Sequence, residues 1–129
     1  MNLAPGSTGA AIAITKALHE YEGRFNGIAT RTPVPIGSIS DITFIAARST
    51  TPGEINEIFV EESGTERYKQ VVTVSADPLV STDIIKSPFA TIVDLPMTRV
   101  VGGDLVKVMS WYDNEWGFSN QMVRQIIAA

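Results

Sequence analysis

The apolar residues near the start of the chain recur at helical spacing. Between Ser7 and Tyr21 they form one stripe, made of Ala10, Ala11, Ile14, Ala17, Leu18 and Tyr21. Ser7 or Thr8 can accept a free first-turn N–H, so the helix is predicted to begin there. Gly23 is predicted to end it.

Two extended segments follow this helix. Residues 27–34 are predicted to be extended because Pro33 and Pro35 are incompatible with a helix interior. Residues 38–47, rich in Ile, Thr and Phe, predict a longer strand.

A second helix has a distinct start signal. Thr51 is the predicted N-cap, Pro52 takes the first helical position, and Glu54 completes a capping box. Ser63 and Gly64 are predicted to end this helix.

The remaining sequence predicts short strands and one last helix. Gly102 and Gly103 can adopt the positive φ values of a hairpin turn. The predicted strands are 71–74, 91–93, 98–101 and 105–111, and the predicted helix is 119–127. This order favours an α+β fold, a two-layer sandwich with helices on one face of a mixed, largely antiparallel sheet.

Composition is typical of one globular domain and argues against several classes of function. The 129 residues are 44% hydrophobic and 19% charged, with a net charge of -4. The 10 Lys and Arg are scattered, which argues against a nucleic-acid partner. No apolar run or leader pattern predicts a membrane span or secretion, so a cytoplasmic location is expected.

Cysteine and histidine counts exclude several kinds of site. The sequence has no cysteine, so disulfides, thiolate metal sites and thiol nucleophiles are excluded. His19 is the single histidine and is predicted mid-helix on the polar side, so no His-based metal cluster or catalytic role is expected for it. Asp77, Asp83 and Asp94 are explained by turn and cap roles.

Two segments could hold an anion. Thr8 and Gly9 stand at a helix start, where free N–H groups and the helix dipole attract negative charge, although an ordinary N-cap is the simpler interpretation. Arg31 lies in an apolar, Pro-framed strand, where it either forms a buried ion pair or grips an anionic ligand.

A third segment combines two Trp and a Tyr with a D-N-E turn over residues 111–117. The amide of Asn114 both donates and accepts, so it can recognise another amide. The simpler interpretation is a turn with aromatic packing.

Five stretches, in order, resemble the glyceraldehyde-3-phosphate dehydrogenase family over nearly the whole chain. They are residues 2–11, 31–35, 77–83, 101–108 and 110–117, and the last, S-W-Y-D-N-E-W-G, is the most specific. The resemblance implies that residues 1–129 are part of the C-terminal catalytic domain of an NAD-dependent, phosphorylating oxidoreductase of glycolysis.

The resemblance assigns roles residue by residue. Thr8 and Gly9 match a phosphate site at a helix start, and Arg31 matches an arginine that grips the phosphate of a triose phosphate or inorganic phosphate. Asn114 matches the asparagine that orients the nicotinamide carboxamide of NAD, with NADP not excluded. The last helix, about 119–128, would pack on a dinucleotide-binding half that residues 1–129 do not contain. The family also implies a homo-oligomer, a tetramer in its usual form.

The departures from the family pattern concern the bond-making groups. The nucleophilic cysteine and the histidine that activates it have no counterpart here, so no catalytic residue is assigned and the chain alone is expected to be inactive. Phe118 replaces a tyrosine near the nicotinamide site, and Thr32 replaces a common valine. Alternatives are an erythrose-4-phosphate dehydrogenase fragment, or a non-catalytic assembly or binding module that reuses the half-fold.

Overall fold

The computed structural model describes residues 2–129, which divide into two compact units. The first extends to Pro35, and the second runs from Ile36 to Ala129. The two units are described separately below.

The first unit pairs two short strands around one helix. Its elements are β1 (Ala4–Ser7), α1 (Ala10–Ala17), a 3₁₀ turn (His19–Tyr21) and β2 (Ile28–Arg31). β1 and β2 are antiparallel, with Ala4 opposite Arg31 and Ser7 opposite Ile28.

The first helix is shorter than the sequence predicts. Ser7 belongs to β1, and Gly9 rather than Ser7 or Thr8 occupies the N-cap position. The reason is that pairing with Ile28 draws the backbone of Ser7 into the sheet. His19 falls in the 3₁₀ turn and not in mid-helix, so that placement was wrong. Gly23 follows with φ of 73°, the left-handed conformation expected where the helical segment stops.

The second unit is a five-stranded mixed sheet with two helices. Its strands lie in the order β3-β7-β5-β4, and β6 also pairs with β7. Only the β4–β5 pair is parallel. The elements are β3 (Ser38–Ile45), α2 (Pro52–Ser63), β4 (Val72–Ser75), β5 (Thr91–Asp94), β6 (Arg99–Val101), β7 (Leu105–Tyr112) and α3 (Trp116–Ala128).

The core forms between α2 and one face of the sheet. Val106 and Val108 of β7 are buried with Val93 of β5, and Ile55 and Phe59 of α2 pack against them. Successive strand residues point to opposite faces, so Lys107 projects from the other face, where its Nζ lies 2.7 Å from Asp41 Oδ2. The predicted α+β class and mixed, largely antiparallel sheet are confirmed.

The start of α2 forms half of the predicted capping box. Thr51 Oγ1 accepts the Glu54 N–H at 3.2 Å, and Pro52 takes the first helical position. The Glu54 carboxylate does not accept the backbone N–H of Thr51, the second bond of a capping box. It accepts hydrogen bonds from the Arg48 guanidinium and the Thr50 hydroxyl instead. The hydrogen bond from Arg48, and then that from Thr50, lower the pKa of Glu54 to about 2.

The β6–β7 hairpin turns through the predicted glycines. Gly102 and Gly103 have φ values of 64° and 89°, which would be strained for a residue with a side chain.

The strand β3 ends at Ile45, two residues earlier than predicted.

α3 begins at Trp116, three residues before the predicted start at Ser119. Its inner face carries Gly117, Gln121 and Arg124. Gln121 Nε2 donates to the carbonyls of Gln70 at 3.1 Å and Pro88 at 3.0 Å, and Arg124 also donates to Gln70. The outer face is apolar and exposed, and consists of Phe118, Met122, Val123, Ile126 and Ile127.

None of the helices within residues 2–129 has the length and apolar character needed to cross a bilayer.

Substitutions at Gly117 and, for comparison, at Gly53 can test how closely α3 packs. Both are the second residue of a helix, but a Cβ at Gly117 would lie 2.6 Å from the Phe89 carbonyl oxygen, whereas one at Gly53 meets nothing closer than 3.8 Å. Gly117→Ala should lower the free energy of unfolding by about 1–3 kcal/mol through overpacking. Urea unfolding followed by tryptophan fluorescence measures this.

Gly53→Ala is the matched control. It should raise the free energy of unfolding by up to about 1 kcal/mol, because alanine favours the helix over glycine. Equal effects of the two substitutions would contradict the close approach of α3 to Phe89.

Candidate functional site

The turn that follows β7 is organised by one buried carboxylate. Asp113 is 3% exposed. Its Oδ1 accepts the N–H groups of Glu115 at 3.0 Å and Trp116 at 2.7 Å, and its Oδ2 accepts that of Lys86 at 2.8 Å. One side chain therefore supplies the first N–H acceptors of α3 and ties the turn to a separate loop.

The loop held by Asp113 has an unusual backbone. Lys86 has a φ of 64°, the one positive value among the non-glycine residues in the described range. Two residues earlier, Ile84 is fully buried, and a Cβ at Gly37 would lie 2.7 Å from its Cδ1. The loop is thus fixed at both ends, and the hydrogen bond from Lys86 to Asp113 offsets the strain of the left-handed residue.

Asn114 lies exposed beside this anchor, with both ends of its amide engaged. Ser38 Oγ donates to Asn114 Oδ1 at 3.3 Å, and Asn114 Nδ2 donates to Glu115 Oε1 at 2.7 Å. Ser38 is the first residue of β3, so the strand opposite β7 orients this amide.

An open cavity of about 250 Å³ adjoins the amide. Phe118, which is 63% exposed, contributes an apolar wall next to Asn114. The lining residues are Ala90, Tyr112, Asp113, Asn114, Phe118 and Gln121.

The protonation of Asp113 follows from its contacts. Burial raises the pKa of this carboxyl, but hydrogen bonds from the backbone of Trp116, Lys86 and Glu115 together outweigh burial and hold the pKa below its usual value. Asp113 is therefore ionised at neutral pH and acts as an acceptor.

In the first unit, Thr8 and Gly9 form an open helix start. Thr8 Oγ1 accepts the Ala10 N–H at 3.2 Å, and a Cβ at Gly9 would meet nothing within 4 Å. A ligand can therefore approach this backbone closely.

Arg31 ends β2 and is exposed. Within residues 2–129 no carboxylate lies at salt-bridge distance from its guanidinium. The sequence left two interpretations of Arg31 open. The buried ion pair is wrong, because the guanidinium is exposed and available to an anion.

The strand register sets Thr8 and Arg31 at opposite ends of the two-stranded sheet, with Arg31 in β2 and Thr8 just beyond the end of β1. Arg31 pairs with Ala4, whereas Thr8 follows Ser7. Four residues of strand separate the two positions, or about 13 Å between Cα atoms. Only an extended Arg31 side chain reaching along the sheet would let both groups contact one anion. Asn114 belongs to the second unit.

Sequence reasoning missed Asp113 and Ser38. An Asp two residues before a helical N–H run is a recognisable acceptor, but the pairing with Lys86, 27 residues away, has no local signal. Asp94 takes the predicted cap position, before the 3₁₀ turn Leu95–Met97, but its side chain makes no capping hydrogen bond. It is buried, and its Oδ2 accepts the Trp111 indole N–H at 2.9 Å. The described residues contain no group of three His, Cys, Asp or Glu arranged to hold a metal ion.

The fold and the site together define a class of protein. It is an α+β domain in which β7, one of two eight-residue strands, leads into a turn that exposes an amide beside an open cavity at a helix start. A family model described as "Glyceraldehyde 3-phosphate dehydrogenase, C-terminal domain" matches residues 1–114. The chain belongs to this family of oxidoreductase domains.

Curated relatives carry the same name. The chain is 44% identical over 123 residues to glyceraldehyde-3-phosphate dehydrogenase 1 of Streptomyces avermitilis, covering 95% of this chain and 36% of the relative. It is 42% identical to a chloroplastic glyceraldehyde-3-phosphate dehydrogenase of Arabidopsis thaliana, with 95% and 31% covered. For the enzyme of Cereibacter sphaeroides the identity is 39%, with 99% and 38% covered. The chain therefore spans about a third of the length of these relatives.

Replacing Asp113 tests its role as anchor. Asp113→Asn should lower the free energy of unfolding by about 1–3 kcal/mol at neutral pH, because a neutral amide has one acceptor oxygen where the carboxylate accepts three backbone N–H groups in part-buried hydrogen bonds. The lowered pKa means that the stabilisation is present above the usual carboxyl range and is lost as the pH falls through the folded-state pKa. Urea unfolding at neutral and acidic pH should therefore show the difference shrinking in acid.

Asp83→Asn provides the comparison. The Asp83 carboxylate is exposed and accepts one N–H, from Val80 at 2.8 Å, which an asparagine oxygen can still accept. A pH-independent loss at Asp113, or an equal loss at Asp83, would remove the case for an ionised anchor.

Proposed function

We propose that this chain contributes the catalytic-domain share of an NAD-dependent, phosphorylating glyceraldehyde-3-phosphate dehydrogenase of glycolysis, acting in the cytoplasm. The observation that carries the proposal is the exposed Asn114 amide, held by Ser38 at the mouth of an apolar-walled cavity. The family membership and the names of the relatives support the reaction class.

Asn114 is the proposed contact for the nicotinamide carboxamide. Its amide can donate and accept, and Phe118 beside it offers an apolar surface to a ring. When bound, NAD would accept the hydride, while Asn114 would fix which face of the ring meets the substrate. Phe118 lacks a hydroxyl, so within this chain the proposed contacts that orient the ring are the Asn114 amide and the apolar wall. NADP fits these contacts equally well, because no residue here is assigned to the ribose.

The proposed phosphate contacts are Thr8, Gly9 and Arg31. The backbone at Gly9 is open, and Arg31 is exposed and has no ionic partner among residues 2–129. A phosphate of the triose substrate or inorganic phosphate would accept from the Arg31 guanidinium in a charge-assisted pair. The register requires Arg31 to extend along the sheet toward Thr8.

No residue of the chain is proposed to make or break bonds. The sequence has no cysteine, and in this structure His19 lies exposed in a 3₁₀ turn. Under this proposal the nucleophile and the base that activates it come from a segment upstream of the part that matches the family at Asn2, and most of the NAD site comes from the dinucleotide-binding half.

The outer face of α3 is the proposed contact with that half. Gly117, Gln121 and Arg124 already secure the inner face, whereas Phe118, Met122 and Ile126 expose an unpartnered apolar stripe. Such a stripe is costly in water and is stabilised by burial against another domain. Assembly into a homo-oligomer, a tetramer as in the family, is part of the same proposal.

Phosphate titration into the ¹⁵N-labelled chain tests the anion site. Shifts should concentrate at Thr8, Gly9 and Arg31, and Arg31→Ala should weaken the response by about tenfold or more through the lost charge-assisted bonds. Arg24→Ala, at another exposed arginine of the same unit, should leave it unchanged. Sodium chloride at equal ionic strength controls for screening. Absence of localised shifts would reject the site and favour a non-catalytic assembly module.

The absence of bond-making residues predicts that the isolated chain is inactive. With NAD, glyceraldehyde 3-phosphate and phosphate, absorbance of reduced cofactor should stay at the buffer blank, while a full-length family enzyme run in parallel produces it. Turnover by the purified chain above the blank would overturn the proposed division of labour.

A further inference from the structure

Asn26 and Gly27 stand in an exposed segment between the 3₁₀ turn and β2, outside any regular element. The Gly27 N–H donates to Asn26 Oδ1 at 2.8 Å. Gly27 has no side chain, and a Cβ built on it would meet nothing within 4 Å apart from its two chain neighbours, so no other described part of the chain crowds this residue.

This contact brings a backbone nitrogen to a side-chain amide carbon. The Asn26 Cγ is bonded to the accepting oxygen, so it lies no farther than about 4 Å from the Gly27 nitrogen. A residue with a Cβ after Asn would restrict the rotation that closes the remaining gap, whereas glycine permits it.

We infer that Asn26–Gly27 is a site of spontaneous deamidation and isomerisation. Hydroxide removes the Gly27 amide proton, and the nitrogen attacks Asn26 Cγ. A Cγ–N bond forms, the Cγ–Nδ2 bond breaks, and ammonia leaves after taking a proton from water. The product is a five-membered succinimide.

Water then opens the succinimide without any oxidant or reductant. Attack at one ring carbonyl breaks the new C–N bond and gives aspartate with a normal peptide bond. Attack at the other carbonyl breaks the original peptide C–N bond and gives isoaspartate, in which the main chain passes through the side-chain carbon. Both products carry one more negative charge than asparagine.

The other four asparagines are internal controls within the same molecule. None of Asn2, Asn56, Asn114 and Asn120 precedes a glycine. Three of them are also engaged elsewhere. Asn56 donates to the Leu95 carbonyl at 3.1 Å, Asn120 donates to the Trp116 carbonyl at 2.8 Å, and Asn114 is held between Ser38 and Glu115.

Isoaspartate at this position would disturb the first unit. It adds a main-chain carbon at residue 26, two residues before Ile28, whose partner across the sheet is Ser7. The pairing of β1 with β2 is the frame that carries Arg31, so the modification loosens this strand. The inference itself rests on the local geometry and does not depend on the proposed function.

Incubation of the full chain in mildly alkaline and mildly acidic buffer, followed by peptide mass spectrometry, tests the site. Residue 26 should gain about 1 Da, as an NH₂ group is replaced by OH, and should do so at least about tenfold faster than any other asparagine. The rate should rise with pH, because the attacking nitrogen must lose its proton. An isoaspartyl methyltransferase assay should detect the isomerised product.

Gly27→Ala and Asn26→Gln are the control variants. Both lie in an exposed segment with open space around it, so folding should be retained, as circular dichroism would verify. Gly27→Ala should slow the mass gain at residue 26 by about tenfold through crowding at the nitrogen. Asn26→Gln should abolish it on the same timescale, because a longer side chain closes a less favourable ring.

Repeating the incubation in urea distinguishes the effect of the folded geometry from that of the Asn-Gly sequence alone. If the native contact favours the reaction, the folded chain should react at Asn26 at least as fast as the unfolded chain. Three results would overturn the inference: no excess at Asn26 over the other asparagines, no effect of Gly27→Ala, or a native rate tenfold or more below that in urea.

Discussion

The acceptance of three backbone N–H groups by the Asp113 carboxylate is the interaction on which the second unit's site depends. Its two oxygens satisfy Glu115 and Trp116 at the start of α3 and Lys86 in a distant loop. Part-buried N–H groups without acceptors are costly, so this carboxylate stabilises both the loop with its left-handed Lys86 and the early start of α3. The position of Asn114 follows, because it is the next residue along the chain.

The same anchor explains why α3 has two dissimilar faces. Once Asp113 fixes the first turn, Gly117 is pressed against the Phe89 carbonyl, and Gln121 and Arg124 reach carbonyls of neighbouring loops. The inner face is thus secured by polar contacts and a glycine. The apolar residues of the helix are left on the outside, where burial against another domain would stabilise them.

Binding and bond-making are divided between this chain and other segments in the proposed function. Groups that hold ligands need exposure and orientation, and Asn114, Gly9 and Arg31 have exposure from the sheet edges and helix starts where they lie. Breaking a bond requires a nucleophile or a base whose pKa is shifted by its surroundings, and the sequence has no thiol to serve as that nucleophile. A domain of this kind can remain well folded without any catalytic residue, because its core between α2 and the sheet is separate from the ligand contacts.

Much of the architecture could be predicted because its signals are local. The Thr51-Pro52 helix start, the Gly102–Gly103 turn and the alternation along β7 each follow from neighbouring residues, and the motif S-W-Y-D-N-E-W-G indicated the family. The predicted helix limits were wrong where a contact between elements competed with a local signal. Pairing with Ile28 places Ser7 in β1, and the hydrogen bond to Asp113 lets α3 begin at Trp116.

The sequence by itself determined the strand and helix order, the exclusion of thiol chemistry, and the candidates Thr8, Gly9, Arg31 and Asn114. Only the tertiary structure decided that Arg31 is exposed without a partner carboxylate in residues 2–129, that Ser38 orients Asn114, and that Asp113 joins a loop 27 residues away. Spacing along a chain fixes which face a residue occupies within its own element. Which donor meets which acceptor across elements depends on strand register and loop path, which no short stretch of sequence contains.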